Sequence, residues 1–276
     1  MLKKILIILF VSVVFYSCSN KNKKDLVIAP SDEENILAIY KEAAEALEDG
    51  DGFYASKKFR EAENLFPQSN WAPKAALMAS YALYSINFYS DSIFSLERYL
   101  QNYPFDKDAV YAHYLIAMCY FEQILDEKKD LKPVLKAKEK IEFVINNYPN
   151  TDYANDAQYK LDLIIDQLAA KEMYIGRYYI KVEKWIAAIN RFKIVVKDYE
   201  KTVYIEEALH RLVEIYYKIG LVEEAEKIAK VLGYNYESGE WYENSYKVFN
   251  KKYETKKIAK EKKDGFIKRK IKSLFE

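Results

Sequence analysis

Glycine and proline are scarce in this chain, seven and six among 276 residues. Strand-rich folds need turn residues at short intervals, so the shortage argues for helices. Histidine is scarcer still. His113 and His210 are the only two, each inside a helical pattern, and both are expected to be satisfied packing residues. There is no glycine-rich phosphate loop, no HExxH, no CxxC and no serine elbow between a strand and a helix. The chain therefore reads as no enzyme, with no catalytic residue, no metal site and no cofactor. A net charge of +1 names no polyanionic partner. There are two cysteines, Cys18 and Cys119. If Cys18 is used elsewhere, Cys119 has no partner for an internal disulfide.

What is abundant is apolar and aromatic surface. Half the residues are apolar, and there are 26 Tyr and 14 Phe. Tyrosine joins an apolar body to a polar tip, which suits both helix packing and interfaces, and both readings stand. At the start, Lys3 and Lys4 precede the apolar run Ile5 to Tyr16, broken only by Ser12. That run is shorter than the about 20 residues a spanning helix needs, so it reads as a secretion signal. An export signal also argues against nucleic acid as a partner. Residues 19–31 are polar at first and carry one proline, a tether with no fixed structure. Ser31 then offers an N-cap, followed by the first-turn acids Asp32, Glu33 and Glu34.

From Asn35 onward the pattern is helix after helix. The clearest stretch is Lys171 to Glu200. Glu172, Ile175, Gly176 and Tyr179 share one helical face. A charged break, Lys181 to Lys184, leads to a second face of Trp185, Ala188, Phe192 and Val195. Gly176 and Ala188 sit where two helix backbones would approach most closely. Similar pairs precede and follow. Tyr40, Ala43, Ala44 and Leu47 lead through Gly50 to Ala55, Phe59, Ala62 and Pro67. Ala76, Ala79, Ser80 and Leu83 lead through Asn87, a residue tolerant of φ > 0, to Tyr89, Ser92, Leu96 and Pro104. His113, Ile116, Ala117 and Tyr120 lead through an inserted charged loop, Asp126 to Lys132, to Ala137, Ile141 and Pro149. Leu209, Leu212, Val213 and Tyr216 lead through Gly220 to Ala225 and Leu232.

This pattern resembles the tetratricopeptide repeat, with small and aromatic residues at fixed offsets in each helix pair and a terminal proline. Two departures stand out. Glu172 occupies the first aromatic position, and Glu200 replaces the proline, so that helix is expected to stop less sharply. The spacing also exceeds the usual repeat of about 34 residues. Nothing interrupts Thr151 to Ile175, which predicts one long helix N-capped by Thr151. The fold expected is all-α: a single elongated, right-handed tetratricopeptide solenoid of about five helix-turn-helix units over residues 32–249. A signal peptide (1–17) and a flexible tether (18–31) precede it, and a basic tail (250–276) follows.

Ser17-Cys18, directly after the apolar run, resembles a bacterial lipobox, with an ordinary signal peptide or uncleaved anchor as the other reading. Lipidation of Cys18 would hold the chain at a membrane, each buried methylene contributing about 0.8 kcal/mol. Ser19, rather than Asp, after the cysteine points to the outer membrane by the same resemblance. With Asp108–Tyr114, Leu168–Met173, Arg177–Tyr179, Ala187–Phe192, Glu207–Leu209 and Trp241-Tyr242, the sequence resembles the BamD (ComL-type) lipoprotein family of the outer-membrane β-barrel assembly machine. The resemblance implies a lipid-anchored scaffold on the periplasmic face of the outer membrane. That family binds the periplasmic domains of the BamA-type barrel subunit alongside accessory lipoproteins. It recruits unfolded outer-membrane proteins through their C-terminal β-signal.

In the repeat family the first helix of each pair lines a groove. The offsets from the core positions predict Met78, Tyr81 and Tyr84, with Tyr111, Tyr114, Met118 and Phe121, as a lining for an extended peptide. Filling of the superhelix by these rings is the competing reading. Arg177 and Arg191 are the expected contacts to the barrel subunit, against solvated or intrachain-paired arginines. The tail carries Phe266, Ile267, Ile271, Leu274 and Phe275 among basic residues. It reads as a solvated tail or an amphipathic helix meeting lipid or a partner. A different function for the whole chain, organising or activating peptidoglycan enzymes, is the alternative to barrel assembly.

Overall fold

Four of the short connections between helices turn on one residue with positive φ: Gly50 (83°), Asn87 (65°), Glu183 (57°) and Gly220 (87°). In the computed structural model, which describes residues 30–236 and 239–250, each such turn closes the same way. The N–H after the positive-φ residue donates back five residues, at 2.9 Å in every case: Asp51 to Ala46, Phe88 to Leu83, Lys184 to Tyr179 and Leu221 to Tyr216. This is the Schellman closure, which satisfies carbonyls that a helix end leaves unpaired. Gly and Asn at three of these positions were legible in the sequence. Glu183 carries no such mark.

Eleven helices result among the described residues, and no strand. They are α1 (Pro30–Glu48), α2 (Gly52–Leu65), α3 (Ala72–Ser85), α4 (Tyr89–Asn102), α5 (Ala109–Phe121), α6 (Lys132–Asn147), α7 (Asp152–Lys181), α8 (Trp185–Asp198), α9 (Ile205–Lys218), α10 (Val222–Asn235) and α11 (Glu240–Phe249). Within each of the two units described below, consecutive helices pack as tetratricopeptide-like hairpins. The first helix opens at Pro30, one residue before the cap expected at Ser31, because proline's fixed φ suits the first helical position. The long uninterrupted helix is present as α7, and its cap is Thr151, whose Oγ1 accepts from Ala154 N–H at 3.2 Å. The signal peptide, Cys18, the tether through residue 29 and residues 251–276 of the tail lie outside the described residues.

The links between hairpins also repeat. An aromatic residue, Phe66, Tyr103, Tyr148 or Tyr199, follows each second helix, and its carbonyl accepts from the N–H of Ser69, Asp106, Thr151 or Thr202 at 3.0–3.2 Å. Three residues later a second N–H, from Ala72, Ala109, Ala154 or Ile205, donates to that residue's carbonyl at 3.1–3.3 Å. The preceding helices end at Leu65, Asn102 and Asn147, each two residues before a proline. Contrary to expectation, α8 stops just as sharply, at Asp198, two residues before Glu200. The turn does not need the proline. Thr202 Oγ1 donates to the Tyr199 carbonyl at 2.8 Å, as Thr151 Oγ1 does to Tyr148, and the same backbone bonds close it.

The helices divide into two compact units between Phe88 and Tyr89. In the first, α2 packs on α1 and α3 around Ala43, Ala55, Phe59, Ala79 and Ala82. In the second, each helix from α4 onward packs on the next, and α9 also carries α11. One of its cores joins Met173, Ala188, Phe192, Val195, Leu212 and Val213. Gly176 permits the close approach of α7 and α8. A Cβ there would fall 2.6 Å from the ring of Phe192, which is fully buried.

Candidate protein-binding surface

α5 has no charged residue and is apolar on nearly every face, so both its sides can be covered. One side meets the hairpin core. The other meets the N-terminal half of α7. Tyr111 and Tyr114 pack on Tyr153 with ring centroids 5.5 and 5.2 Å apart. Tyr114 Oη donates to Asp156 Oδ2 at 2.6 Å. Lys160 Nζ lies 5.1 Å from the Phe121 ring centroid, within cation–π range. Beyond Phe121 a cavity of about 480 Å³ is lined by Leu125, Leu163, Asp166, Gln167 and Tyr204 among others.

The inserted loop is held by the same helix. Gln167 Nε2 donates to the Leu125 carbonyl at 2.8 Å, and Lys171 Nζ to the Lys129 carbonyl at 3.0 Å. Within the loop, Asp126 and Asp130 each accept from a backbone N–H two residues on. These Asx turns give a charged insertion a defined path.

Of the residues expected to line one groove, Tyr111, Tyr114 and Phe121 do share a half-buried aromatic face. Met118, i+7 from Tyr111 and i+4 from Tyr114, lies on the same stripe but is only 4% exposed. Met78, Tyr81 and Tyr84 lie on α3 in the first unit. Met78 packs against that unit's core, and the two tyrosine rings sit 6.2 Å apart. Tyr153, Leu163, Gln167 and Tyr204 belong to the second unit's surface and were not anticipated. A signal for two of them exists: an aromatic stands two residues after Ser69, Thr151 and Thr202, as Trp71, Tyr153 and Tyr204.

Arg177 and Arg191 are each paired within the chain. Arg191 Nη1 lies 3.0 Å from Glu172 Oε2, and Arg177 Nη1 lies 3.0 Å from Glu207 Oε2. Glu172, where an aromatic was expected, thus ties α7 to α8 by charge. Each arginine keeps more than a third of its side chain exposed, 38% for Arg177 and 37% for Arg191. Pairs of this exposure contribute about 0–1 kcal/mol.

From Glu207 the network continues to Arg211, whose Nη1 lies 2.7 Å from Glu214 Oε2. Burial alone would raise the Glu214 carboxyl. Hydrogen bonds from His210 and Arg211, and their charge, outweigh it and hold the group at about 2. His210 is buried, with Nδ1 2.8 Å from Ser245 Oγ on α11 and its ring 5.3 Å from Trp241. It therefore fastens α11 to α9. His113 sits against Phe143 and Tyr148, and burial, then Lys140, lowers its pKa. Cys119 is fully buried; burial pushes its thiol up to about 11, although its Sγ lies 3.5 Å from Ser92 Oγ. Among the described residues no cluster of three or more His, Cys, Asp or Glu side chains is arranged to hold a metal. Nor is any described helix long and apolar enough to cross a membrane.

A family model described as YfiO, outer membrane lipoprotein, matches residues 32–232. The chain is 42% identical over 233 residues to the outer membrane protein assembly factor BamD of Caulobacter vibrioides, covering 84% of this chain and 76% of that protein. To the protein of the same name from Rickettsia prowazekii it is 36% identical over 241 residues, covering 87% and 94%. To that of Neisseria meningitidis serogroup A it is 27% identical over 245 residues, covering 85% and 92%.

Proposed function

The chain belongs to the YfiO family of outer membrane lipoproteins, and from that premise we propose that it is a non-enzymatic scaffold of outer-membrane protein assembly. In this reading Cys18 is acylated and holds the chain at the periplasmic face of the outer membrane. Unfolded outer-membrane proteins are recruited by their C-terminal β-signal. The face bearing Arg177 and Arg191 contacts a periplasmic domain of a BamA-type barrel subunit, with accessory lipoproteins bound elsewhere.

The observation that carries the reading is a family likeness running through every hairpin, joined to an aromatic surface suited to aromatic peptide anchors. Tyr111, Tyr114, Tyr153 and Phe121 offer rings beside the cavity lined by Leu163 and Tyr204. Aromatic and methionine contacts of this kind dominate peptide-binding energies. Met78, Tyr81 and Tyr84 supply a separate set of contacts on the first unit.

Co-purification from detergent-solubilised envelopes tests the assignment. Recovery of the barrel subunit supports it; recovery of cell-wall synthases or hydrolases in its place refutes it. Peptide titration tests the recruiting surface. Tyr81→Ala with Tyr114→Ala is expected to weaken a β-signal peptide at least tenfold, and unchanged affinity in a folded variant would sink that part. For the arginine contact, Arg191→Glu is expected to abolish co-purification of the barrel subunit. Glu172→Gln, which loses only the intrachain pair, is expected to preserve it.

A further inference from the structure

The last two described helices enclose a cleft of about 520 Å³. Ala229 and Gly233, one turn apart on α10 with the Tyr242 ring already over Gly233, line one side, and Tyr242, Tyr246 and Phe249 on α11 the other. These follow the i, i+4, i+7 spacing of a single helix face. Glu226 and Lys230 stand on the α10 side, and Ser245 and Asn250 complete the lining. Tyr246 is 48% exposed and Phe249 36%. Beside Ala229, the exposed parts of Tyr246 and Phe249 leave apolar surface for a further large side chain. In a helical repeat such faces are ordinarily covered by the next element.

The chain itself continues from this point. Asn250 lines the cleft, and Lys251 to Gly265 lead to Phe266-Ile267-Lys268-Arg269-Lys270-Ile271-Lys272-Ser273-Leu274-Phe275. Ile267, Ile271, Leu274 and Phe275 recur at i, i+4, i+7 and i+8, one apolar face with basic residues between. The fifteen intervening residues reach up to about 50 Å when extended, more than twice the about 21 Å length of a 14-residue helix such as α10. Tethering at that range gives an effective concentration of the order of millimolar, so even a weak contact would be occupied.

We propose that Phe266–Phe275 of the same chain docks into the cleft between α10 and α11 and caps the last hairpin. The contact does not depend on the assembly role proposed above.

The test uses the full chain with Cys18 replaced by serine, and with Lys230→Cys and Ser273→Cys. A short bismaleimide is the probe. The remaining Cys119 is buried and its thiol suppressed, so it does not compete. The expected result is an intramolecular crosslink at least tenfold more abundant than in variants carrying Ile271→Asp with Phe275→Asp, or Tyr246→Arg. Amide exchange at Lys230 to Gly233 should be slower in the parent chain than in the tail variant by a similar factor. Tyr246 is half exposed, so its replacement leaves the fold standing, and the tail variant touches nothing in the described core. Equal crosslinking in all variants overturns the proposal. So does a crosslink only between molecules, which would assign the cleft to a second copy. Protection of the tail only on adding phosphatidylglycerol vesicles would assign the tail to a lipid surface and equally overturn it.

Discussion

Gly176→Ala places one methyl group where α7 and α8 touch, and its consequence can be worked out from three distances. The added Cβ would lie 2.6 Å from Phe192 Cε1, 2.7 Å from Cζ and 3.1 Å from Cδ1. Carbon atoms in contact prefer about 3.5–4.0 Å, so the ring must move by roughly 1 Å or the helices must part. Phe192 has no room to swing, because it is fully buried among Met173, Ala188 and Leu212. Overpacking of this kind costs about 1–3 kcal/mol. Alanine's helix propensity returns about 0.8–1.0 kcal/mol of that. The net expectation is a loss of up to about 2 kcal/mol, read as a Tm lower by up to roughly 8 °C for a domain of this size. Thermal denaturation followed by circular dichroism measures it. Pairing the change with Phe192→Leu removes the clashing ring atoms, so the double variant should lose less than the sum of the single losses. A Gly176→Ala protein more stable than the parent, or a double variant that loses the full sum of the single losses, would show that the glycine is not there for helix approach.

Other expectations follow from single residues. Glu183 sits at φ 57° at a site where Gly serves in two sister turns, so Glu183→Gly relieves about 1–2 kcal/mol of left-handed strain against about 0.5–1 of added chain entropy. A small rise in Tm is expected, and Gly220→Glu should lower it; a fall for Glu183→Gly would show the strain is absent. Tyr114→Phe keeps the stack on Tyr153 but deletes the hydrogen bond to Asp156, at a cost of about 0.5–1.5 kcal/mol in chemical denaturation. If the recruiting surface is aromatic, the same variant should leave peptide affinity unchanged. The Glu214 carboxyl is held below its ordinary value, at about 2. Its contribution is therefore complete above about pH 4.5 and is lost as the pH falls from there through about 2. Amide exchange on α11, run as a pH series, should show that helix loosening over this window, and Glu214→Gln should flatten the dependence.

How far the sequence could be read depended on the range of the interaction. Asn87 and Gly50 marked hairpin turns because positive φ is a property of one residue and its neighbours. Thr151 marked a cap because its hydroxyl needs only the N–H three residues on. Met118 shares the stripe of Tyr111 and Tyr114, and periodicity names a stripe without showing which of its residues is covered. Arg177 and Arg191 were visible as charges. Their partners Glu207 and Glu172 lie 30 and 19 positions away on neighbouring helices, at a register no local pattern displays.

The sequence by itself determined the helical hairpins, three of their four positive-φ turn residues, the long α7 and the family to which the chain belongs. Those follow from hydrogen bonds and side-chain offsets spanning a few residues, repeated often enough to be unmistakable. Only the tertiary structure decided that α7 lays Tyr153 and Asp156 against the tyrosines of α5 and grips the inserted loop. It also decided that Glu172 replaces a ring with an ion pair. Each of these depends on how one helix is placed along another, and that placement is set by the packing of the whole unit rather than by any single stretch of chain.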